Sequence, residues 1–130
     1  MGDKKVELCK YRMSRARETL QVAEECYQNN HYKDAMNRSY YAAFYGVKSV
    51  LALEEVDFNR HKDVIAYFNK TYVAGGKIDR SLGRSLGKLQ QMREKSDYDD
   101  FYVVSGEEAK EQLCFVRNLL DCIERIFIRF

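Results

Sequence analysis

Proline is absent from all 130 residues. It is tolerated worst inside helices, so a chain without it can run helix after helix with no enforced kink. That favours an all-helical domain over a turn-rich β sandwich. Tryptophan is missing too, while ten tyrosines and seven phenylalanines are present, giving a core of amphipathic rings whose hydroxyls need partners. The four cysteines (Cys9, Cys26, Cys114, Cys122) include no CxxC pair and the two histidines are isolated. Zinc-ligand spacing is therefore lacking, and neither a metal site nor a cofactor is expected. Each cysteine falls at or near an apolar helical phase, the pattern of buried, reduced thiols in the cytoplasm. No apolar run approaches the roughly 20 residues a membrane span needs. The charged start, Met1-Gly2-Asp3-Lys4-Lys5, lacks the apolar segment of a signal peptide. The expectation is a soluble cytoplasmic protein without membrane contact. A formal net charge of +2 excludes a globally basic nucleic-acid binder but leaves room for a local basic face.

With 45% hydrophobic and 32% charged residues, the chain has the composition of a folded domain. Its length suits a single domain, 1–130, with no internal boundary. Val6, Cys9, Met13, Ala16, Leu20, Ala23 and Tyr27 recur at steps of three and four, the stripe of an amphipathic helix, which Asn29-Asn30 ends. A second helix is expected over Tyr32–Leu53. A third is capped by Asn59 and carries His61, Ile65, Phe68 and Tyr72 on one face, up to Gly75-Gly76. Asp79 caps a fourth, with Leu82, Leu86 and Leu89, followed by an acidic and aromatic loop over 96–104. Ser105 and Glu108 have capping-box spacing and open the last helix. Its two apolar stripes, Ala109 to Phe130 and Phe115 to Ile126, lie about 100° apart, so that helix is central in the bundle or buried in a subunit contact. The reading is a five-helix up-and-down bundle that forms a homodimer.

Arg93 follows Leu82, Leu86 and Leu89 at the next step of four, so its guanidinium should point where the leucines point. A buried guanidinium must meet a carboxylate, helix-end carbonyls or a cavity that admits a phosphate. Asp97-Tyr98-Asp99-Asp100 follows at once. On the second helix Arg38, Tyr41 and Tyr45 share a face, with Asp34 placed to pair with Arg38. Arginine beside two phenols can stack on a base and hold its phosphate, or form a hydrogen-bonded patch in an interface. Arg80, Arg84 and Lys88 make a cationic row opposite the leucines, where a solvated face belongs. Gly83 and Gly87, each costing about 1 kcal/mol relative to alanine within a helix, point to a close helix crossing. His61, at a helix start, suits acid–base chemistry or a helix cap.

In order along the chain, Asn37-Arg38-Ser39-Tyr40-Tyr41-Ala42-Ala43-Phe44, then Arg60-His61-Lys62-Asp63-Val64 with Phe68, then Gly75-Gly76, then Arg93 with Asp97-Tyr98 resemble small stand-alone HEPN-domain proteins (higher eukaryote and prokaryote nucleotide-binding) of bacteria and archaea. The resemblance spans roughly residues 5–127. It implies an all-α bundle of HEPN type, commonly dimeric and often paired with a minimal nucleotidyltransferase in toxin–antitoxin systems. Many such proteins are metal-independent RNases with an Arg-x4–6-His motif at the dimer cleft. Here Arg93-x4-Tyr98 keeps the spacing but has tyrosine in place of histidine, and a phenol of reference pKa about 10 is a poor base near neutrality. The resemblance thus implies a module binding nucleotide or RNA through Arg38, Tyr41, His61, Lys62 and Arg93. The alternatives are an endoribonuclease toxin using Arg93, Asp97 and Tyr98, and a purely structural interaction module.

Overall fold

In the computed structural model, which describes residues 4–128, the chain forms five helices: α1 (Lys4–Gln28), α2 (Tyr32–Leu53), α3 (His61–Phe68), α4 (Arg80–Tyr98) and α5 (Gly106–Phe127). This is the all-α five-helix bundle expected, with no strand among the described residues. Met1, Gly2 and Asp3 of the charged start, and Phe130 of the last apolar stripe, lie outside the described residues.

The α1 stripe is buried at Cys9, Met13, Ala16, Leu20 and Ala23. Asn30 adopts a left-handed φ of 65°, which asparagine tolerates, and the chain reverses there into α2. Contacts Tyr27–Tyr32, Arg15–Tyr45 and Arg12–Lys48 recede along α1 as they advance along α2, so the two helices form an antiparallel hairpin. Both apolar stripes of α5 are covered within the bundle: Leu113, Val116, Leu120 and Ile123 are buried, and so are Phe115, Leu119 and Cys122. Of the two expectations for this helix, centrality in the bundle therefore accounts for its breadth. Its polar edge is tied to α1 by Arg17, which reaches Asp121 and Glu124 at 2.7 Å each, and by the Arg117–Glu24 pair. Burying each large aliphatic or aromatic side chain contributes about 1.5–3 kcal/mol, so these faces, not the exposed ion pairs, hold the bundle together. Of the cysteines, Cys9 and Cys122 are buried, Cys26 is half-buried and Cys114 is exposed, against the expectation for all four.

Local chemistry agrees with the sequence at two helix starts. Asp79 accepts a hydrogen bond from the Ser81 amide at 2.9 Å, and Ser105 with Glu108 completes a capping box. Three boundaries differ. Arg60, not Asn59, precedes α3, without a side-chain cap. That helix gives way at Phe68 to one π turn, Asn69–Val73, and Gly76 then takes a φ of 88°. The fourth helix runs on to Tyr98, three residues into the expected loop. Gly83 does mark a close approach, since a β-carbon there would lie 2.8 Å from Val73 Cγ1, but nothing lies within 4 Å of one at Gly87. Arg80, Arg84 and Lys88 are exposed, and Lys88 pairs with Glu111 at 3.2 Å. No described helix is long and apolar enough to cross a membrane.

Candidate functional site

Three helices bring one cluster together. From α2 come Tyr40, Tyr41 and Phe44, from the first residue of α3 comes His61, and from the last two turns of α4 come Arg93 and Asp97. Tyr40 and Tyr41 are neighbours in sequence, so on a helix their rings diverge by about 100°; they meet edge-on with centroids 5.4 Å apart. Tyr40 is buried in the core and Tyr41 lies half-exposed.

Arg93 reaches back across both rings. Its guanidinium carbon lies 5.2 Å from the Tyr40 centroid and 5.3 Å from that of Tyr41, within cation–π range. One Nη2–H donates to the Tyr41 hydroxyl at 2.7 Å, and Nε lies 3.3 Å from Asp97 Oδ2. The Arg93 side chain is 25% exposed. It therefore points inward as its helical phase predicts, yet stops at the partly exposed edge of the bundle rather than in the core. Of the open choices for its anion, the carboxylate at the helix end is met; with five N–H donors, the guanidinium has others to offer.

His61 enters the same cluster from the other side. Its ring stacks on Phe44 at 3.9 Å between centroids, and its Nδ1 is 3.3 Å from the Tyr40 hydroxyl. Burial, followed by the positive charges of Arg93 and Lys48, lowers its pKa below the usual histidine value, so the imidazole is neutral at pH 7. Burial also pushes the Tyr40 phenol up to about 12, against the opposing pull of Arg93. Tyr40 is thus a fixed neutral hydroxyl between a permanent cation and a neutral imidazole.

Arg38 lies three residues before Tyr41 on α2, and Lys62 follows His61 on α3. Both are exposed, and among the described residues neither is held in an ion pair. The expected Asp34–Arg38 pair does not form, leaving Arg38 free to meet an external anion. Tyr98 stands apart from the others. Five residues beyond Arg93 on a helix is about 140° around the axis, and its ring is 90% exposed; Asp97, at four residues, turns back to Arg93. Tyr45 also leaves the group and lies under Arg15 of α1, 5.5 Å from ring centroid to guanidinium carbon.

The structure therefore gathers Tyr41, His61, Arg93 and Asp97, while Arg38 and Lys62 are exposed residues adjoining them in sequence. Tyr40 and Phe44 were read as core residues and missed as site residues. Their signal was the unbroken Tyr40-Tyr41 pair followed by an aromatic ring one turn on.

Comparison with known proteins gives a consistent picture. A family model described as the HEPN domain matches residues 9–126. A UPF0332 protein of Thermotoga maritima is 32% identical over 124 residues, covering 95% of this chain and 94% of its own length. Two Methanocaldococcus jannaschii proteins also match. "Putative toxin MJ0142" is 29% identical, covering 75% of this chain and 67% of its own length; "Putative toxin MJ0605" is 35% identical, covering 64% and 62%.

Proposed function

Because the chain belongs to the HEPN domain family, whose model covers residues 9–126, we propose that it is a toxin-like helical module that binds nucleotide or RNA phosphate in the groove around Arg93. In this reading Arg93 is the central cation, Arg38 and Lys62 draw in the phosphate from the rim, Tyr41 holds the guanidinium, and His61 completes the pocket. It acts as a homodimer beside a minimal nucleotidyltransferase. The toxin names of two relatives support the setting.

One observation carries the reading: Arg93 and His61 converge on the same pair of tyrosines from different helices. A purely structural arginine on α4 needs only Asp97. Here a permanent cation and a neutral imidazole meet on one pair of tyrosines, with two exposed cations adjoining them in sequence, an arrangement suited to recognising a phosphate. Titrating wild type and Arg93→Ala with nucleotides and a short RNA tests it. The variant should lose binding while keeping its helical circular dichroism, and unchanged affinity would sink the site.

A second reading is favoured by His61. A neutral imidazole beside Arg93 has the protonation state of a general base. Metal-independent RNA cleavage in the presence of EDTA, lost in both Arg93→Ala and His61→Gln, would make the protein an endoribonuclease. If wild type binds no nucleotide and Arg93→Ala breaks the dimer, the cluster is an interaction surface instead.

A further inference from the structure

Beside the groove, the half-exposed face of α2 continues toward α1. Arg38, Tyr41, Tyr45 and Lys48 follow one another at steps of three, four and three, so one helical stripe reads cation, phenol, phenol, cation. At its far end lies a cavity of about 360 Å³ lined by Leu8, Tyr11, Arg12 and Arg15 of α1 and by Tyr45 and Lys48 of α2. Half of the lining side chains are cationic, two are phenols, and none is acidic.

The nearest carboxylates stand outside the lining and do not cancel it. Asp57 alone serves two cations, at 3.7 Å from Arg12 and 3.5 Å from Lys48, and Glu18 lies 3.2 Å from Arg15. Arg12 is fixed in place by donating from Nη1 to the Lys48 carbonyl at 2.9 Å. Arg15 rests over the Tyr45 ring at 5.5 Å, and Tyr11 is 63% exposed. A chain of side-chain contacts links the cavity to the cluster: the Lys48 ammonium lies 5.9 Å from the centroid of Phe44, the ring on which His61 stacks.

Cations alone would suit any polyanion. Exposed phenols interleaved with them suit an anion whose unpaired bases can stack, which duplex bases cannot do. We infer that this cavity binds single-stranded nucleic acid, with a base against Tyr11 or Tyr45 and the adjoining phosphate between Arg15 and Lys48. A strand seated there runs along α2 to the Arg93 groove; that continuation, but not the cavity itself, rests on the function proposed above.

Fluorescence anisotropy with the full chain tests this, using labelled 12-nucleotide single-stranded RNA, the same sequence as DNA, and the RNA duplex. Both single strands should bind more tightly than the duplex. Tyr11→Ser should weaken single-strand binding about five-fold or more, the loss of one stacked base. Arg15→Glu should weaken it further and reduce the salt slope by roughly 0.7 or more. Both positions are on the helix surface, so circular dichroism should be unchanged. Affinity loss in Arg15→Glu with none in Arg93→Ala keeps the cavity and removes the groove; the reverse keeps the groove and removes the cavity. Tighter binding of the duplex, no binding of any strand by wild type, or variants that lose only self-association in sedimentation would each overturn the inference, the last by assigning this face to a second copy of the chain.

Discussion

Replacing Tyr41 with phenylalanine isolates the hydroxyl that holds Arg93. The ring and its 5.3 Å cation–π contact remain, and only the 2.7 Å acceptor is removed. A hydrogen bond from a charged donor contributes about 1.5–3 kcal/mol when fully desolvated. Here Arg93 is a quarter exposed and keeps Asp97 at 3.3 Å, so water and carboxylate recover part of the loss. The expected cost is about 1–1.5 kcal/mol. With a urea m-value of about 1.5 kcal/mol/M, the unfolding midpoint should fall by roughly 0.7–1 M at unchanged slope. A double-mutant cycle with Arg93→Met should return a coupling energy of about 1 kcal/mol. A coupling below about 0.3 kcal/mol would refute the claim that this hydroxyl positions the guanidinium, because each substitution would then act independently of the other.

Two further outcomes follow from local chemistry. His61 has a folded-state pKa below its unfolded value of about 6.5, owing to burial and then Arg93 and Lys48; the folded state therefore binds fewer protons, its stability contribution is full above that value and is lost as pH falls through the folded pKa, and thermal melts of His61→Gln should lack this acid-side decline. Ser105→Ala removes the acceptor for the Glu108 amide at 3.1 Å and should destabilise by about 1 kcal/mol, read as a lower urea midpoint, whereas Ser105→Asp should retain most of the stability.

The helices were legible because their signals are local. The Tyr32–Leu53 span, the Asp79 cap and the Ser105 capping box depend on residues within a few positions of one another, and the structure agrees at each. The inward phase of Arg93 was legible for the same reason, since a step of four from Leu89 is set by the helical period alone. Where competing local choices were close in energy, the reading slipped: α4 gained three residues, ending at Tyr98, and α3 unwound into a π turn at Asn69. Side chains at helix ends slipped too, because phase on one helix does not choose a partner on another. Asp34 had the spacing to pair with Arg38 and does not.

By itself, the order of residues determined five amphipathic helices, which face of each is apolar, and an arginine aimed inward beside an aspartate one turn on. Only the packing of α2, α3 and α4 decided that His61, 32 positions before Arg93 in the chain, meets the same tyrosines. It was packing again that sent Tyr45 to Arg15 while Tyr41 went to Arg93. The physical reason is geometric. Periodicity fixes a side chain's direction around its own axis, but the crossing of one helix over another, set by how all the buried faces fit together, fixes what lies in that direction.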